Sequence, residues 1–371
     1  MSGGVDSSVT AALLKQQGYA VTGVYMKNWS QDLPGMKCPW KEDYQDAKRV
    51  AVQLGIPFKM YDFETEYRQK VVDYMLDGYR AGITPNPDIM CNQEVKFRLF
   101  LDAALADGAD LIATGHYAQI KKSQESRVKS QGDSAAEPLH DSYLTPHDSA
   151  AELHAAANAE KDQTYFLYRV TEQALSRSLM PIGDFKTKAD VRELAQKFGL
   201  ATAAKKDSQG ICFVGKVGIK DFLLHELGPQ EHGAIIDQNG ATVGEHDGAL
   251  FYTIGQRHGL AVGGGLPFYV VGKDMAKNEV YVTTDLQDAR LWRKDLQLTS
   301  LHWINEAPEP GKTYQVRTRY RAPLVDCQLY LEDSPLNGLN VTLTEEIRAV
   351  TPGQSAVFYD GDRVLGGGIV I

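Results

Sequence analysis

MSGGVDSSVTAALL, residues 1–14, joins a loop of glycines and hydroxyl side chains directly to the apolar spacing of a helix. Two neighbouring glycines let backbone N–H groups turn toward an anion, and the positive end of the following helix points to the same place. The stretch therefore predicts a phosphate-binding loop. The other interpretation is an ordinary turn whose Ser and Asp side chains cap a helix. The loop consists of Ser2, Gly3, Gly4, Val5, Asp6, Ser7 and Ser8.

The loop contains no lysine, so it does not match the GxxxxGK[ST] pattern in which a lysine reaches the β- and γ-phosphates. We therefore expect backbone dipoles, hydroxyl groups and a metal ion held by Asp6 to balance the phosphate charge. A loop of this kind suits chemistry in which pyrophosphate is bound and then released.

Length and composition limit the class of protein. A length of 371 residues predicts two or three domains. The four cysteines include no CxxC pair that would bind zinc. The net charge of −9 argues against a basic surface over the whole protein, although a local basic face remains compatible with it. Because the chain shows no apolar stretch of about 18 residues and no export leader, we expect a cytoplasmic protein without a membrane partner.

Helical and strand patterns alternate from residue 9 to about residue 120, which predicts an α/β fold with a doubly wound parallel sheet. In such sheets ligands lie beyond the carboxyl ends of the strands, where the loops at 2–8, 26–40 and 114–117 should converge. The patterns predict strands at 19–26, 57–63 and 110–120, and helices at 41–56, 64–82, 95–109, 164–179 and 187–199, the last capped by Thr187.

The pattern changes twice along the rest of the chain. Residues 121–158 are rich in Ser, Ala, Gln and His, and they predict either a flexible insertion or a hairpin with a long tip. After about residue 217, short alternating runs separated by Asn-Gly and Asp-Gly indicate β-hairpins. We therefore predict a catalytic domain at 1–216, a small β-rich central domain at 217–285 and a β-barrel domain at 286–371.

Two cysteines have neighbours that favour a reactive thiolate. In ITPNPDIMCNQEVKF (83–97), Cys91 lies just before a helix expected to start near Gln93 or Glu94, and Asp88 could act as an acid or base. In KKDSQGICFVG (205–215), Lys205 and Lys206 lie close to Cys212. The alternatives are that both cysteines are simply buried and that Asp88 caps the helix. If both are reactive, they could alternate between thiol, persulfide and disulfide.

The segment RTRYRAP (317–323) is the densest basic cluster in the chain, with Arg317, Arg319 and Arg321 around Tyr320. It could form a local nucleic-acid contact. Its alternating spacing is also that of a strand with one solvated face, so both interpretations stay open.

Seven motifs in this order resemble the tRNA-specific 2-thiouridylases, a family within the PP-loop ATPases. They are SGGVDSS (2–8), MKNW (26–29), NPDIMCN (86–92), TGHYA (114–118), KDQTYFL (161–167), DSQGICF (207–213) and YTIGQRHGL (252–260). Family members carry a hydrophobic strand before the loop, whereas the numbering of this chain begins at the loop itself. The resemblance implies a PP-loop domain, a small central domain and a C-terminal β-barrel.

The resemblance also implies a reaction and its participants. ATP, with Mg²⁺, would adenylate the C2 oxygen of the wobble uridine of a tRNA, and sulfur would then replace that oxygen. Cys212 would carry the sulfur as a persulfide supplied by a cysteine desulfurase or a relay protein. Cys91 would release the product by forming a disulfide with Cys212, and Asp88 would serve in acid–base work.

Position by position, the resemblance assigns further residues to ligands. ATP would contact the loop from Ser2 to Ser8 together with Met26 and Gly115, and the target base would meet Asn86, Pro87 and Asp88. Contacts to tRNA are implied for His116, Lys161, Asp162, Gln163, Arg319, Tyr320 and Gln354.

Two other classes of function fit part of the sequence. An amide-forming PP-loop ligase acting on a small molecule would use the loop but give the two cysteines no role. A non-enzymatic nucleotide- or RNA-binding protein would use the loop only for binding, and Cys212→Ala would then leave its function intact.

Overall fold

A computed structural model of the chain describes residues 1–33, 37–122, 150–206, 218–260, 262–263, 265–331 and 338–371. Its elements follow the predicted order, with an α/β part, a small mixed part and a β-barrel.

Helices dominate the first part. A π-helical segment, Arg68–Val72, joins α3 to α4, and a second one, Cys91–Leu99, joins α5 to α6, so that each pair forms a continuous helical stretch. The helices are α1 (Val5–Gln16), α2 (Trp40–Leu54), α3 (Glu64–Tyr67), α4 (Asp73–Arg80), α5 (Pro87–Met90), α6 (Phe100–Ala106), α7 (Glu172–Ser176) and α8 (Lys188–Lys197).

The strands of the first part pair in three groups. β1 pairs with β2 in parallel, β3 pairs with β6 in parallel, and β4 and β5 form an antiparallel hairpin. Apolar residues of α1 and α8 pack together in one core cluster that includes Val9 and Val191. The strands are β1 (Gly23–Lys27), β2 (Phe58–Asp62), β3 (Ile112–Ala113), β4 (Gln119–Lys122), β5 (Ala151–His154) and β6 (Ser178–Leu179).

The middle part contains α9 (Ile219–Leu227) and a four-stranded sheet in the order β8-β7-β10-β9. Phe222 of α9 is fully buried and shares a core cluster with Tyr67 and Val71 of the first part, so the two parts pack on a common apolar core. The strands are β7 (Gly233–Ile236), β8 (Thr242–His246), β9 (Tyr269–Asp274) and β10 (Glu279–Thr283).

The last part is a closed barrel of six strands in the order β11-β14-β13-β12-β15-β16, in which β16 also pairs with β11. The first residues of β16, Arg363 and Val364, pair with β5 where β11 no longer does, so the hairpin of the first part extends the barrel sheet. The strands are β11 (Trp292–Trp303), β12 (Thr313–Arg317), β13 (Val325–Leu331), β14 (Leu339–Arg348), β15 (Ser355–Asp360) and β16 (Arg363–Val370).

Four local predictions need correction. The helix expected near Gln93 begins at Pro87, and the expected helix at 164–179 is instead one short 3-10 turn, α7 and β6. The basic segment leaves strand geometry after Arg317, and the following turn places Arg321 at a φ of 63°. The helix α9 was not predicted at all, although its apolar residues follow helical spacing.

The predicted insertion at 121–158 is described only at its ends, which pair as the hairpin β4–β5, and residues 123–149 lie outside the described residues. Thr187 caps α8 as predicted. Its hydroxyl accepts a hydrogen bond from the Asp190 N–H at 3.2 Å, and the Asp190 carboxylate accepts one from the Thr187 N–H at 3.0 Å.

Candidate active site

The loop at residues 2–8 is held close to α2 and leads directly into α1. Gly3 has a φ of 73°, and a Cβ atom built on it would lie 2.4 Å from the backbone oxygen of Asp43. Any other residue would therefore meet both an unfavourable backbone conformation and the first turn of α2. Gly4 is the extended N-cap residue of α1, which leaves the first N–H groups of that helix available to a ligand.

The hydroxyl groups of the loop have two different environments. Ser8 is fully buried, and its hydroxyl donates to the backbone oxygen of Gly4 at 2.7 Å, which fixes the start of the helix. The hydroxyls of Ser2 and Ser7 lie 3.2 Å apart on the accessible side of the loop. The accessible pair is therefore better placed to meet a phosphate than Ser8.

A lysine distant in sequence supplies the cation that the loop lacks. The Lys188 Nζ atom, at the start of α8, lies 2.7 and 2.8 Å from the two carboxylate oxygens of Asp6. The hydroxyl of Tyr117 donates to the same carboxylate at 3.1 Å. Sequence reasoning missed Lys188, because 182 residues separate it from Asp6.

The segment 114–117 joins the loop to the helix that carries Cys91. A Cβ atom on Gly115 would lie 2.7 Å from the Ser7 nitrogen, so this segment touches the first turn of α1. The next residue, His116, packs its ring 5.7 Å from that of Phe97, which belongs to the helical stretch that starts at Pro87. Loops 2–8 and 114–117 therefore meet, as predicted from their place after the strands.

His116 is buried, with 8% of its surface exposed, and its Nδ1 lies 2.8 Å from the Thr114 hydroxyl. Burial lowers the pKa of His116 well below its usual value, and the charge of Lys96 lowers it further. The imidazole is thus neutral near pH 7 and cannot act there as a cation for a phosphate group.

Cys91 and Asp88 lie on a helix that begins earlier than expected. The Asn86 side chain accepts hydrogen bonds from the Asp88 and Ile89 N–H groups at 3.1 and 3.4 Å, and Pro87 occupies the first helical position. Asn86, and not Asp88, is therefore the cap. Cys91 follows the four residues of α5 and is buried, with 1% of its surface exposed.

The KDQTYFL segment (161–167) forms hydrogen bonds and an ion pair with three other segments of the chain. Gln163 accepts a hydrogen bond from the Tyr117 N–H at 2.9 Å, and the Phe166 carbonyl accepts one from the Asn92 side chain at 3.1 Å. Asp162 is only 4% exposed; its carboxylate accepts from the Thr164 hydroxyl at 2.8 Å and forms an ion pair with Arg317 of the barrel at 3.3 Å. Asp162 therefore joins the barrel to the first part.

The predicted tRNA contacts on the barrel lie on two turns. Arg319 is exposed, and the Tyr320 ring contacts that of Phe166, with centroids 4.5 Å apart and planes inclined at 45°. Gln354 donates from its side-chain nitrogen to the Thr84 carbonyl at 2.6 Å, two residues before Asn86. Of the other predicted residues, Met26 lies in β1 and Lys161 is half-buried beside Asp162.

Cys212 lies outside the described residues, as do residues 207–217 around it. The segment that leads to it is anchored beside the loop, because Lys205 forms ion pairs with Asp43 at 2.7 Å and Asp46 at 2.6 Å. Asp43 is the residue whose backbone meets Gly3.

No group of three His, Cys, Asp or Glu side chains that could hold a metal ion by itself occurs in the described part of the chain. At the loop, Asp6 offers one carboxylate. That donor set fits Mg²⁺, which is commonly bound by one or two carboxylates together with substrate phosphates.

Comparison with known proteins matches the whole chain. The family models described as tRNA methyl transferase HUP domain, tRNA methyl transferase PRC-barrel domain and Aminomethyltransferase beta-barrel domain match residues 1–216, 220–284 and 293–370. The tRNA-specific 2-thiouridylase MnmA of Bacillus thuringiensis (strain Al Hakam) is 43% identical over 372 residues, covering 100% of this chain and 93% of the relative. The chain belongs to the tRNA-specific 2-thiouridylase family.

Other members of this family are equally similar. The MnmA of Bacillus anthracis is 43% identical over 372 residues, and the MnmA 2 of Geobacillus kaustophilus (strain HTA426) is 44% identical over 373 residues, each with 100% of this chain and 93% of the relative covered. Family membership confirms the α/β fold class with a small central domain and a C-terminal β-barrel. The boundaries predicted after residues 216 and 285 stay predictions. Within the described ranges, no helix is long and apolar enough to cross a membrane.

Proposed function

We propose that this chain replaces the C2 oxygen of the wobble uridine of tRNA with sulfur, at the expense of ATP. The observation that carries the proposal is the continuous contact from Asp6 and Ser7, through the segment 114–117, to the helix of Cys91. This contact supports placing the loop, which suits pyrophosphate, and the Cys91 thiol in one site. The relatives that match the full chain are named tRNA-specific 2-thiouridylases, which favours tRNA as the substrate.

At the nucleotide end, the N–H groups at the start of α1 and the hydroxyls of Ser2 and Ser7 would hold the phosphates. Asp6 would bind Mg²⁺ that is also bound to the phosphates. Lys188, already beside Asp6, would place its ammonium group on a phosphate oxygen and so take the role that the loop's missing lysine has in other phosphate loops.

The reaction would proceed by three displacements. The C2 oxygen of the uridine attacks the α-phosphate of ATP, so that AMP becomes attached to that oxygen and pyrophosphate leaves. The terminal sulfur of a Cys212 persulfide then attacks C2, and AMP departs with the oxygen. The Cys91 thiolate attacks the Cys212 sulfur, which releases the 2-thiouridine and leaves a Cys91–Cys212 disulfide to be reduced by an external thiol.

At the base end, Asn86 fixes the helical turn that carries Asp88 and Cys91, and Asp88 would move protons at the base. The exposed Arg319 and the Tyr320–Phe166 ring contact lie near this helix, because the Phe166 carbonyl accepts a hydrogen bond from Asn92, the neighbour of Cys91. An aromatic pair beside a basic residue is suited to an unstacked anticodon base.

The direct test is to incubate the full chain with ATP, Mg²⁺, unmodified tRNA bearing a wobble uridine and one of two sulfur sources, either sulfide or a cysteine desulfurase. The product, 2-thiouridine, is measured by nucleoside mass spectrometry. We expect product with the parent chain and none with Cys91→Ser or Cys212→Ser when sulfur comes from a cysteine desulfurase. Cys327→Ser is the matched control, because Cys327 is buried in β13 of the barrel.

Each outcome bears on a different part of the proposal. Product that persists in both Cys91→Ser and Cys212→Ser, with the desulfurase as donor, would contradict the persulfide mechanism. Absence of product with the parent chain and both sulfur sources would contradict the function itself. Product that forms without release of pyrophosphate would contradict the role of the loop.

A further inference from the structure

Thr84, in the first part, is hydrogen-bonded to both of the other parts of the molecule. Its N–H donates to the Pro352 carbonyl of the barrel at 2.9 Å, and its carbonyl accepts from the Gln354 side chain at 2.6 Å. Its hydroxyl lies 3.1 Å from the hydroxyl of Thr253 in the middle part. Each hydrogen-bonding group of this first-part residue therefore binds another part of the chain.

The barrel presents a tightly fitted turn to Thr84. Gly353 has a φ of 90°, and a Cβ atom on it would lie 2.9 Å from the Thr84 nitrogen and 3.0 Å from its carbonyl carbon and oxygen. A hydrogen bond to the end of β16 holds this turn in place, because the Gly353 N–H donates to the Val370 carbonyl at 2.9 Å. The barrel backbone thus lies directly against Thr84.

The middle part is equally fixed where it meets Thr84. The Gln256 side chain accepts from the Thr253 N–H at 3.1 Å, and Lys273 donates from Nζ to the carbonyl of the preceding residue, Tyr252, at 2.8 Å. A Cβ atom on Gly255 would lie 2.4 Å from the Cβ of Ala349, so this turn also touches the barrel. Thr253 therefore lies close to a contact between the middle part and the barrel.

Thr84 leads directly into the catalytic helix. The next residue, Pro85, is buried against Gly78, where a Cβ atom would lie 2.7 Å from the proline ring. Asn86 then caps the turn that carries Asp88 and Cys91. Because Pro85 and Pro87 restrict the backbone on both sides of Asn86, we expect a displacement of Thr84 to move Asn86 as well.

We propose that Thr84, Thr253, Gly353 and Gln354, here called the Thr84 latch, position the helix of Asp88 and Cys91 when the middle part and the barrel are docked. These four are positioning residues, since none of them needs to touch the reacting atoms. The inference rests on the proposed function, because it assigns the latch to the same thiolation site.

Gly353→Ala tests the latch, and Gly361→Ala is the matched control. Both residues have positive φ in the barrel, but a Cβ on Gly361 meets nothing within 4 Å, whereas one on Gly353 presses on Thr84. For Gly353→Ala we expect kcat for thiolation to fall about tenfold or more, while the Kd for tRNA changes less than about twofold. Gly361→Ala should leave kcat unchanged.

A second measurement does not depend on thiolation. Cys91 is buried, so in the reduced protein its alkylation by iodoacetamide, followed by mass spectrometry, reports the position of the helix. We expect faster alkylation of Cys91 in Gly353→Ala than in the parent chain or in Gly361→Ala. If the chain makes no 2-thiouridine but this difference appears, the latch stands and the proposed function fails.

Milder variants keep the test valid if Gly353→Ala does not fold. Thr84→Val removes the hydroxyl bond to Thr253 and should lower kcat about 2- to 10-fold, whereas Thr84→Ser should restore it. Thr253→Val should match Thr84→Val, and the double variant should be no worse than either. Unchanged kcat and alkylation in these variants, or a loss confined to the Kd for tRNA, would overturn the latch.

Discussion

The two ends of the site are built in different ways. The loop end is assembled within the first part, where Asp6, Lys188, Tyr117 and Gly115 meet through contacts at the start of α1. The base end depends on the rest of the chain, because the segment before Cys91 is bonded to both the barrel and the middle part. The nucleotide end can therefore form within one domain, whereas the base end requires all three to be docked.

The largest effect is expected at the ion pair between Asp162 and Arg317, on which docking of the barrel depends. Asp162→Ala leaves Arg317, whose side chain is 15% exposed, without its carboxylate. Breaking a buried pair of this kind costs about 3–5 kcal/mol of unfolding free energy. Chemical denaturation followed by circular dichroism measures that loss, with the exposed pair Lys197–Glu193 as reference.

In the reference variant Lys197→Ala, the free energy of unfolding should change by less than about 0.5 kcal/mol, because exposed pairs contribute little. An equally small change for Asp162→Ala would mean that this carboxylate is not a docking group. The predicted contact between Asp162 and tRNA would then regain support, and the contrast between the two ends would weaken.

The next effect is expected at the loop end, from Gly115→Ala. The added Cβ would lie 2.7 Å from the Ser7 nitrogen and 2.8 Å from the Asp6 carbonyl carbon, so the loop must shift. A shift of about 1 Å at a site of this kind lowers turnover about 100-fold. Thiolation kinetics measure the effect, and Gly263→Ala, whose Cβ meets nothing within 4 Å, should retain full activity.

Because the added Cβ of Gly115→Ala meets Asp6 and Ser7 and not the Thr84 latch, the alkylation rate of Cys91 should rise less than it does in Gly353→Ala. A large rise in that rate would show that the two ends are not separate, and the comparison between them would fail at its first assumption.

A smaller effect is expected from Lys188→Met, which removes the cation beside Asp6. Loss of a hydrogen bond to a charged group costs about 1.5–3 kcal/mol, so the KM for ATP should rise about tenfold or more. Lys186→Met is the matched control, since Lys186 is exposed two residues earlier. An unchanged KM for ATP would make Lys188 only a structural partner of Asp6.

The difference between the two ends also explains what the sequence could predict. The Thr187 cap of α8 is confirmed because its chemistry is local, with a hydroxyl and an acidic residue at fixed spacing. The loop at residues 2–8 was found from equally local signals, and its binding of phosphate stays a prediction. Asn86 before Pro87 is an equally local signal of a helix start. The helix begins at Pro87, so the expected start near Gln93 was wrong. Lys188 could not be found in this way, since only folding brings it to Asp6.

Local sequence patterns also did not predict which polar side chains are buried. Judged from sequence, Asp162 is a charged residue that could contact a ligand at the surface. In the structure the barrel covers its side chain, and Arg317 neutralises its charge. Arg319 and Tyr320 continue an alternating pattern, yet they lie on a turn after β12. Whether a polar residue faces solvent or another domain depends on packing between segments more than 150 residues apart, such as Asp162 and Arg317.

The smallest expected effect concerns Lys273, which supports the middle part of the latch. Burial lowers the pKa of Lys273 from 10.5 to about 8, so between these pH values the unfolded chain binds more protons than the folded one. This residue therefore makes the folded state more stable as pH rises from 8 to 10. Urea denaturation at several pH values should show a rise on the order of 1 kcal/mol in the parent chain relative to Lys273→Met. If the two proteins have parallel pH profiles, Lys273 is solvated, and its bond to Tyr252 does not hold the Thr253 turn against Thr84.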